Sequence, residues 1–207
     1  EDLDWAACRE RGIAAAGVDE RHAAVDVFAF LGPLAVRMLH ESGVAVQGCR
    51  IGVLCDNPFA PHLQRGIAGG GAAAVALART ALDFLEAEPL DAIVVASGPG
   101  DEGLAIGEEE AQALARIHRG TVVAQFLGEM DREALLRNGF GVWPLAAPPR
   151  GHMGALLSDL GPEPIARLQA GGLKVGELLW RGRTRGLSDR ESIEEAVMAG
   201  FATAIED

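Results

Sequence analysis

The sequence predicts an α/β fold in which a doubly wound parallel sheet is flanked by helices. Short apolar runs of strand length alternate with longer amphipathic stretches, and this alternation is typical of βαβ units. The runs are continuously apolar, as expected for parallel strands that are buried on both faces. The predicted strands lie near residues 51–55, 73–78, 91–96, 121–126 and 140–143. Their number and spacing favour a Rossmann-like arrangement.

A helical lead-in is predicted for residues 1–45, before the first of these strands. Residues 3–10 are expected to form a short helix. Apolar residues recur at helical intervals from about 21 to 40, which predicts a long helix that Pro33 kinks or breaks. The chain begins at Glu1 rather than at a methionine, and we therefore expect a preceding portion to have been removed or to lie outside this sequence.

The Rossmann-like domain is predicted over residues 46–150, with helices between its strands. These helices are expected near residues 59–67, 108–117 and 131–137. A C-terminal return segment and helix follow over residues 151–207. In this segment we expect a helix near 164–169, a strand or helix at 173–180, and a terminal helix from Ser188 onward.

Composition and charge exclude several classes of protein. Of the 207 residues, 49% are hydrophobic and 23% are charged, which is the profile of a globular chain with a sizeable core. Eighteen Lys and Arg against thirty Asp and Glu give a net charge of −12, and such a surface repels phosphate backbones and anionic membranes. We therefore expect a small-molecule ligand, and neither nucleic acid nor a membrane as partner.

The cysteines indicate the compartment. Cys8, Cys49 and Cys55 are odd in number and lack the spacing of metal ligands. Free thiols of this kind are typical of a reducing cytoplasm. No secretory signal is visible at the start of the sequence. We therefore expect a cytoplasmic protein without a bound metal.

The turn after the first strand of the sheet is where a Rossmann domain would hold the pyrophosphate of a dinucleotide. Cys55, Asn57 and Ala60 stand at the three glycine positions of the G-x-G-x-x-G fingerprint. Asp56 places a negative charge near the expected diphosphate. Two interpretations stay open: these four residues bind a cofactor, or the turn is a structural helix start in which Pro58 takes the first helical position.

Two more positions follow predicted strands. Arg79 comes after the second strand, and an arginine there suits the 2′-phosphate of NADP better than the ribose of NAD. Ser97 and Gly98 come after the third strand, where they would line a ligand crevice. The simpler alternatives are a solvated strand end for Arg79 and a plain turn for Ser97 and Gly98. NADP or NAD is the expected cofactor, bound weakly if it is bound at all.

His152 is the candidate catalytic residue. It lies in an irregular segment after the fifth strand, where catalytic side chains gather in open α/β sheets. The alternative is a surface histidine without a chemical role. The other histidines fall in predicted helices without acid partners at useful spacing, and we interpret them as structural or exposed.

Three segments resemble parts of one dehydrogenase family. Residues 119–136 are similar to the late Rossmann half of the D-2-hydroxyacid dehydrogenases, and residues 7–13 to the segment before their crossing helix. Residues 152–154 resemble their His-Ile-Gly motif, which implies the acid/base position for His152. Leu127 replaces the family's substrate-binding arginine.

The tail resembles another family, the ornithine cyclodeaminases and mu-crystallins. The matching segments carry a Gly-Glu, a Gly-x-Ser and a closing helix, at residues 176–179, 186–189, 200–202 and 204–207. Leu187 stands where that family has an arginine. The family's aspartate after the fifth strand would fall near Trp143 and Pro144 and is absent. Both resemblances imply a Rossmann domain, NAD(P) and dimerisation.

Three hypotheses on function follow. The first is an NAD(P)-dependent oxidoreductase, or a cyclodeaminase-like protein, acting on a small 2-oxo, 2-imino or amino acid with His152 as proton donor. The second is a non-catalytic Rossmann scaffold or partner subunit that has lost its cofactor. The third is a transferase that holds an S-adenosyl ligand at the same crevice, because a turn without close glycines suits a ligand that lacks a pyrophosphate.

We also expect a homodimer. Residues 23–39 carry apolar side chains on more than one face of the predicted helix. A helix that is apolar all round is buried on several sides. The two resemblances imply pairing through equivalent elements.

Overall fold

The computed structural model of the chain describes residues 4–98 and 103–203. These residues form two compact units. The sheet unit is the described part of Phe28–Leu160, and the terminal unit combines the described residues of Glu1–Val27 and Gly161–Asp207. The sheet unit therefore extends beyond the predicted Rossmann-like range at both ends.

Helices and strands occur in both units, and they alternate through the sheet unit. The α-helices are α1 (Trp5–Glu10), α2 (Leu31–Glu41), α3 (Ala60–Gly69), α4 (Glu108–Leu114), α5 (Arg132–Arg137), α6 (Pro162–Thr184) and α7 (Asp189–Met198). The strands are β1 (Gly17–Val18), β2 (Arg50–Leu54), β3 (Ala74–Ala78), β4 (Ala92–Ala96), β5 (Val122–Leu127), β6 (Gly141–Trp143) and β7 (Ala202–Thr203). Short 3-10 helices span Val27–Phe30, Ala81–Glu86 and Leu157–Leu160.

Strands β2 to β6 form a five-stranded parallel sheet in the order β3-β2-β4-β5-β6. The predicted Rossmann-like α/β fold is confirmed, and each predicted strand is found within one residue of its expected bounds. The chain passes from β2 out to the edge strand β3 and then back across β2 to β4. The carboxyl ends of β2 and β4 therefore meet at a topological switch point, where open α/β sheets bind their ligands.

Apolar layers cover both faces of the sheet. Helices α2 and α3 pack on one face, and α4, α5 and the 3-10 helix Ala81–Glu86 pack on the other. The largest side chains of the two layers are fully buried: Leu34, Met38, Leu63 and Phe126 in the first, and Phe84, Ile93, Ile106 and Leu114 in the second. Burial of each such side chain stabilises the fold by about 1.5–3 kcal/mol.

Helices α2 and α3 touch at two glycines. A Cβ atom placed on Gly66 would lie 2.2 Å from the Cα atom of Gly32. No side chain fits into that gap, so the two backbones meet directly. This contact sets α3 close to α2 and thereby fixes the position of the turn that precedes α3.

The long helix expected from about 21 to 40 was wrong in its extent. The described residues 21–26 form turns, a 3-10 helix spans Val27–Phe30, and α2 begins only at Leu31. Pro33 consequently lies in the first turn of α2, where a missing N–H removes no intrahelical hydrogen bond. The proline therefore marks the start of the helix instead of kinking it.

The terminal unit is built around α6 and α7. Strands β1 and β7 pair antiparallel, and apolar residues of α6 and α7 pack beside them. The two elements expected at 164–169 and 173–180 form one continuous helix, α6. The helix continues through its glycines. Gly171 allows close packing, since a Cβ atom at this position would lie 2.9 Å from Val18 and 2.8 Å from Val25.

None of the helices in the described ranges has the length and apolar character required to cross a membrane.

Candidate functional site

A cavity of about 730 Å³ opens at the carboxyl ends of β2, β3 and β4. Its position is the switch point of the sheet, and its volume is that of a small-molecule site. Its described lining consists of Leu54, Asp56, Arg79, Thr80, Ala81, Leu82, Ser97, Gly98, Gly103, Leu104, Ala105, Glu110 and Glu129. All of these residues belong to the sheet unit.

Two hydrogen bonds join the end of β2 to the end of β4. The Asp56 carboxylate accepts the backbone N–H of Gly98 through Oδ1 at 2.8 Å. The side-chain amide of Asn57 donates to the carbonyl oxygen of Ala96 at 2.7 Å. Asp56 lines the cavity, whereas Asn57 lies behind it, half-buried. The turn after β2 is thus anchored to the neighbouring strand by its own side chains.

The same turn bonds two of its backbone N–H groups internally. Asn57 accepts the N–H of Phe59 through Oδ1 at 2.9 Å, and its carbonyl oxygen accepts the N–H of Ala60 at 3.3 Å. Pro58 and Pro61 have no N–H to offer. Helix α3 begins at Ala60, so Pro58 precedes the helix and does not take its first position as expected. The turn therefore presents few free amides to a phosphate group.

Cys55 lies beneath this turn rather than in the cavity. Its thiol is buried and directed at Asn57, with Sγ 3.5 Å from Oδ1 and 3.6 Å from the carbonyl oxygen. Burial raises the pKa of the thiol, against the smaller opposing effect of the Asn57 carbonyl. The sulfur is therefore kept as a neutral thiol that fills space under the turn.

Arg79 lines the cavity from the end of β3. Its guanidinium is exposed and has no hydrogen bond or ion pair with any residue that the structure describes. Its backbone is held firmly: Asp83 Oδ2 accepts the N–H of Arg79 at 3.0 Å and that of Thr80 at 2.9 Å. These bonds, chiefly those from Thr80, lower the pKa of the Asp83 carboxyl. A guanidinium without a partner among the described residues is thus presented to the cavity on an ordered backbone.

Two acidic residues of the lining were not among the predicted site residues. Glu110 accepts the N–H of Gly107 at 2.9 Å, and Glu129 accepts the N–H of Gly151 at 3.0 Å. With Asp56, the described lining carries three carboxylates against the single guanidinium of Arg79. The position of Glu129, two residues beyond β5, is the signal from which sequence reasoning could have found it.

His152 does not reach the cavity in this structure. Its ring is exposed, with Nδ1 3.1 Å from the carbonyl oxygen of Arg150. Its neighbour Gly151 donates to Glu129, so the histidine lies on the Glu129 side of the site without lining it. Catalysis by His152 stays a prediction.

The structure brings together half of the predicted site residues. Four line the cavity, namely Asp56, Arg79, Ser97 and Gly98. The other four do not, namely Cys55, Asn57, Ala60 and His152. Within the described ranges, no group of three or more His, Cys, Asp or Glu side chains is placed to hold a metal ion.

Neither a protein-family model nor a curated protein sequence matches the chain. Its fold is similar to solved structures. Dipicolinate synthase A chain from Bacillus subtilis is 12% identical with a TM-score of 0.55, and the match covers 89% of this chain and 64% of that chain. The TT0316 protein from Thermus thermophilus is 17% identical with a TM-score of 0.50, and the match covers 90% of this chain and 73% of that chain.

A third match is the methylenetetrahydrofolate dehydrogenase-cyclohydrolase (FolD) of Trypanosoma brucei, in complex with NADP and an inhibitor. It is 16% identical with a TM-score of 0.45, and the match covers 68% of this chain and 50% of that chain. The chain spans less than two thirds of this enzyme and of dipicolinate synthase. The likeness of the tail to ornithine cyclodeaminases stays a prediction. At these identities the comparisons establish the fold alone, a Rossmann-like α/β fold.

Proposed function

We propose that the chain binds a nicotinamide dinucleotide in the cavity at the switch point, with NADP preferred over NAD. The observation that carries the proposal is the guanidinium of Arg79, which lines the cavity after β3 and has no partner among the described residues. A 2′-phosphate on the adenosine ribose is the group that an arginine at this position of a Rossmann-type sheet suits. The reaction we propose is oxidation or reduction of a small 2-oxo, 2-imino or amino acid.

The cavity suits the 2′-phosphate of NADP better than it suits the diphosphate. Arg79 offers its donors to the 2′-phosphate, and guanidinium groups bind phosphate oxygens in a bidentate manner. The turn after β2 bonds the N–H groups of Phe59 and Ala60 to Asn57, and Asp56 adds a negative charge beside it. We therefore expect the affinity for the dinucleotide to be weak and to depend on Arg79.

Equilibrium titration of NADP and NAD tests this proposal. We expect wild type to bind NADP roughly tenfold or more tightly than NAD, and Arg79→Ala to abolish the difference, since one charge-assisted contact supplies about 1.5–3 kcal/mol. Arg65→Ala is the matched control, because Arg65 is an exposed arginine of α3 that does not line this cavity. Equal binding of both nucleotides, unaffected by Arg79→Ala, would contradict the proposal.

A second candidate function is a Rossmann scaffold without catalysis. It is favoured by the placement of His152, whose ring bonds toward the Arg150 carbonyl and not into the cavity. Native mass spectrometry of the purified protein separates the candidates. A co-purifying dinucleotide supports the proposed function, and an S-adenosyl compound supports a transferase. The mass of the protein without a ligand, together with no binding of NADP or NAD in the titrations, supports the scaffold.

A further inference from the structure

The crevice between β2 and β4 is already occupied by polar groups of the chain itself. The Asp56 carboxylate lies on the N–H of Gly98, with Oδ1 2.8 Å from the nitrogen. A negatively charged oxygen on a backbone N–H is the contact that a bound phosphate makes in an anion-binding turn. Asp56 therefore takes the place that an anionic ligand would seek at the end of β4.

The start of α3 offers no replacement donors. The N–H groups of Phe59 and Ala60 are both bonded to Asn57, and the helix has a proline at position 61. A diphosphate that entered here would displace one anion from Gly98 only to put another in its place. It would gain no donor from the start of α3 and would remain close to the expelled carboxylate.

We infer that Asp56 is a specificity-determining residue that keeps a diphosphate out of the β2–β4 crevice. The inference rests on the proposed nucleotide binding and refines its ligand class. The cavity holds the 2′-phosphoadenosine half of the nucleotide through Arg79, and the diphosphate contributes no affinity.

The sheet register makes this division possible. Leu54 at the end of β2 pairs with Ala78 at the end of β3, and Asp56 and Arg79 follow this pair by two residues and one residue on adjacent strands. Neighbouring strands lie about 4.8 Å apart. The adenosine ribose and its 2′-phosphate reach Arg79 at the end of the edge strand β3. The rest of the nucleotide is directed away from Asp56.

Calorimetric titration with NADP and with adenosine 2′-monophosphate tests the inference on the full chain. Asp56→Asn removes the charge and keeps an oxygen that accepts the Gly98 N–H, so the fold is retained. Asp56→Gly additionally frees that N–H for a ligand. Glu86→Gln is the control for net charge, because Glu86 is exposed and does not line the cavity.

We expect wild type to bind the two nucleotides within about threefold of each other. Asp56→Asn should strengthen NADP binding roughly tenfold, as removal of a like charge about 4 Å away implies, and leave adenosine 2′-monophosphate unchanged. Asp56→Gly should strengthen it further, and Glu86→Gln should change neither affinity. Binding of both nucleotides without any response to Asp56→Asn would overturn the inference alone. Binding of neither nucleotide by wild type or variants would overturn the proposed function together with the inference.

Discussion

The side-chain amide of Asn57 donates to the carbonyl oxygen of Ala96 at 2.7 Å, and its oxygen accepts the N–H of Phe59 at 2.9 Å. One half-buried residue thus connects the end of β4 to the start of α3. In a fold whose ligands bind between these elements, this residue determines the shape of the crevice. Its loss would affect both the stability of the fold and the geometry of the site.

Asn57→Ala is expected to lower the free energy of unfolding by about 2 kcal/mol, because it leaves a carbonyl and an N–H without partners. Asn57→Asp keeps the acceptor for Phe59 but turns a carboxylate toward Ala96, and we expect a loss of similar size. Urea denaturation followed by circular dichroism measures both. Gln64→Ala, on the exposed side of α3, is the control and should stay within about 0.5 kcal/mol of wild type. An Asn57→Ala variant with the same free energy of unfolding as wild type would show that the two hydrogen bonds do not hold the turn.

Gly66→Ala is expected to destabilise the protein by about 3 kcal/mol or more, because its Cβ would lie 2.2 Å from the Gly32 backbone and must push α2 and α3 apart. Gly69→Ala is the matched control in the same helix. Its Cβ meets nothing within 4 Å, and helix propensity should stabilise it by about 0.5–1 kcal/mol. Thermal unfolding of the two variants should therefore shift in opposite directions. Equal shifts would contradict the close contact of the helices.

The Cys55 thiol is expected to react slowly with iodoacetamide at pH 7.5. Burial raises its pKa, so the reactive thiolate is a smaller fraction than in a free cysteine at the same pH. Because the shift is upward, reactivity should grow only as the pH rises, and it should reach the rate of a free cysteine when urea unfolds the chain. Peptide mapping by mass spectrometry measures the modification at each cysteine. Rapid labelling of Cys55 in the folded protein would show that the turn opens.

A homodimer stays a prediction. The apolar residues of α2 that motivated it are largely buried within the chain itself, Leu31, Leu34, Met38 and Leu39 among them. The expectation therefore depends on the two family resemblances alone. Sedimentation velocity at micromolar concentration should give twice the 21.6 kDa of one chain, and a species of single-chain mass would contradict it.

Secondary-structure elements that depend only on residues close together in the sequence were predictable. The strands are continuous apolar runs, and the order of these runs along the chain was enough to place Asp56, Arg79, Ser97 and Gly98 at one edge of the sheet. The start of α2 was not predictable, because the role of Pro33 depends on where the helix begins.

Two other features depend on contacts between distant segments. Helix α6 runs through glycines that look like breaks, and Gly171 is explained only by its packing against Val18 and Val25. Glu129 joins the cavity because the segment before α4 lies along the end of β5, with the N–H of Ala105 bonded to the Glu129 carbonyl at 2.7 Å. No periodicity in the sequence encodes such a pairing.

The most direct measurement of the central claim is a crystal structure of the protein soaked with NADP at millimolar concentration. We expect the 2′-phosphate within hydrogen-bonding distance of the Arg79 guanidinium, with the bond between Asp56 and Gly98 intact and the diphosphate directed away from it. A diphosphate seated on the amides of residues 55–60, or a nucleotide bound without contact to Arg79, would contradict it.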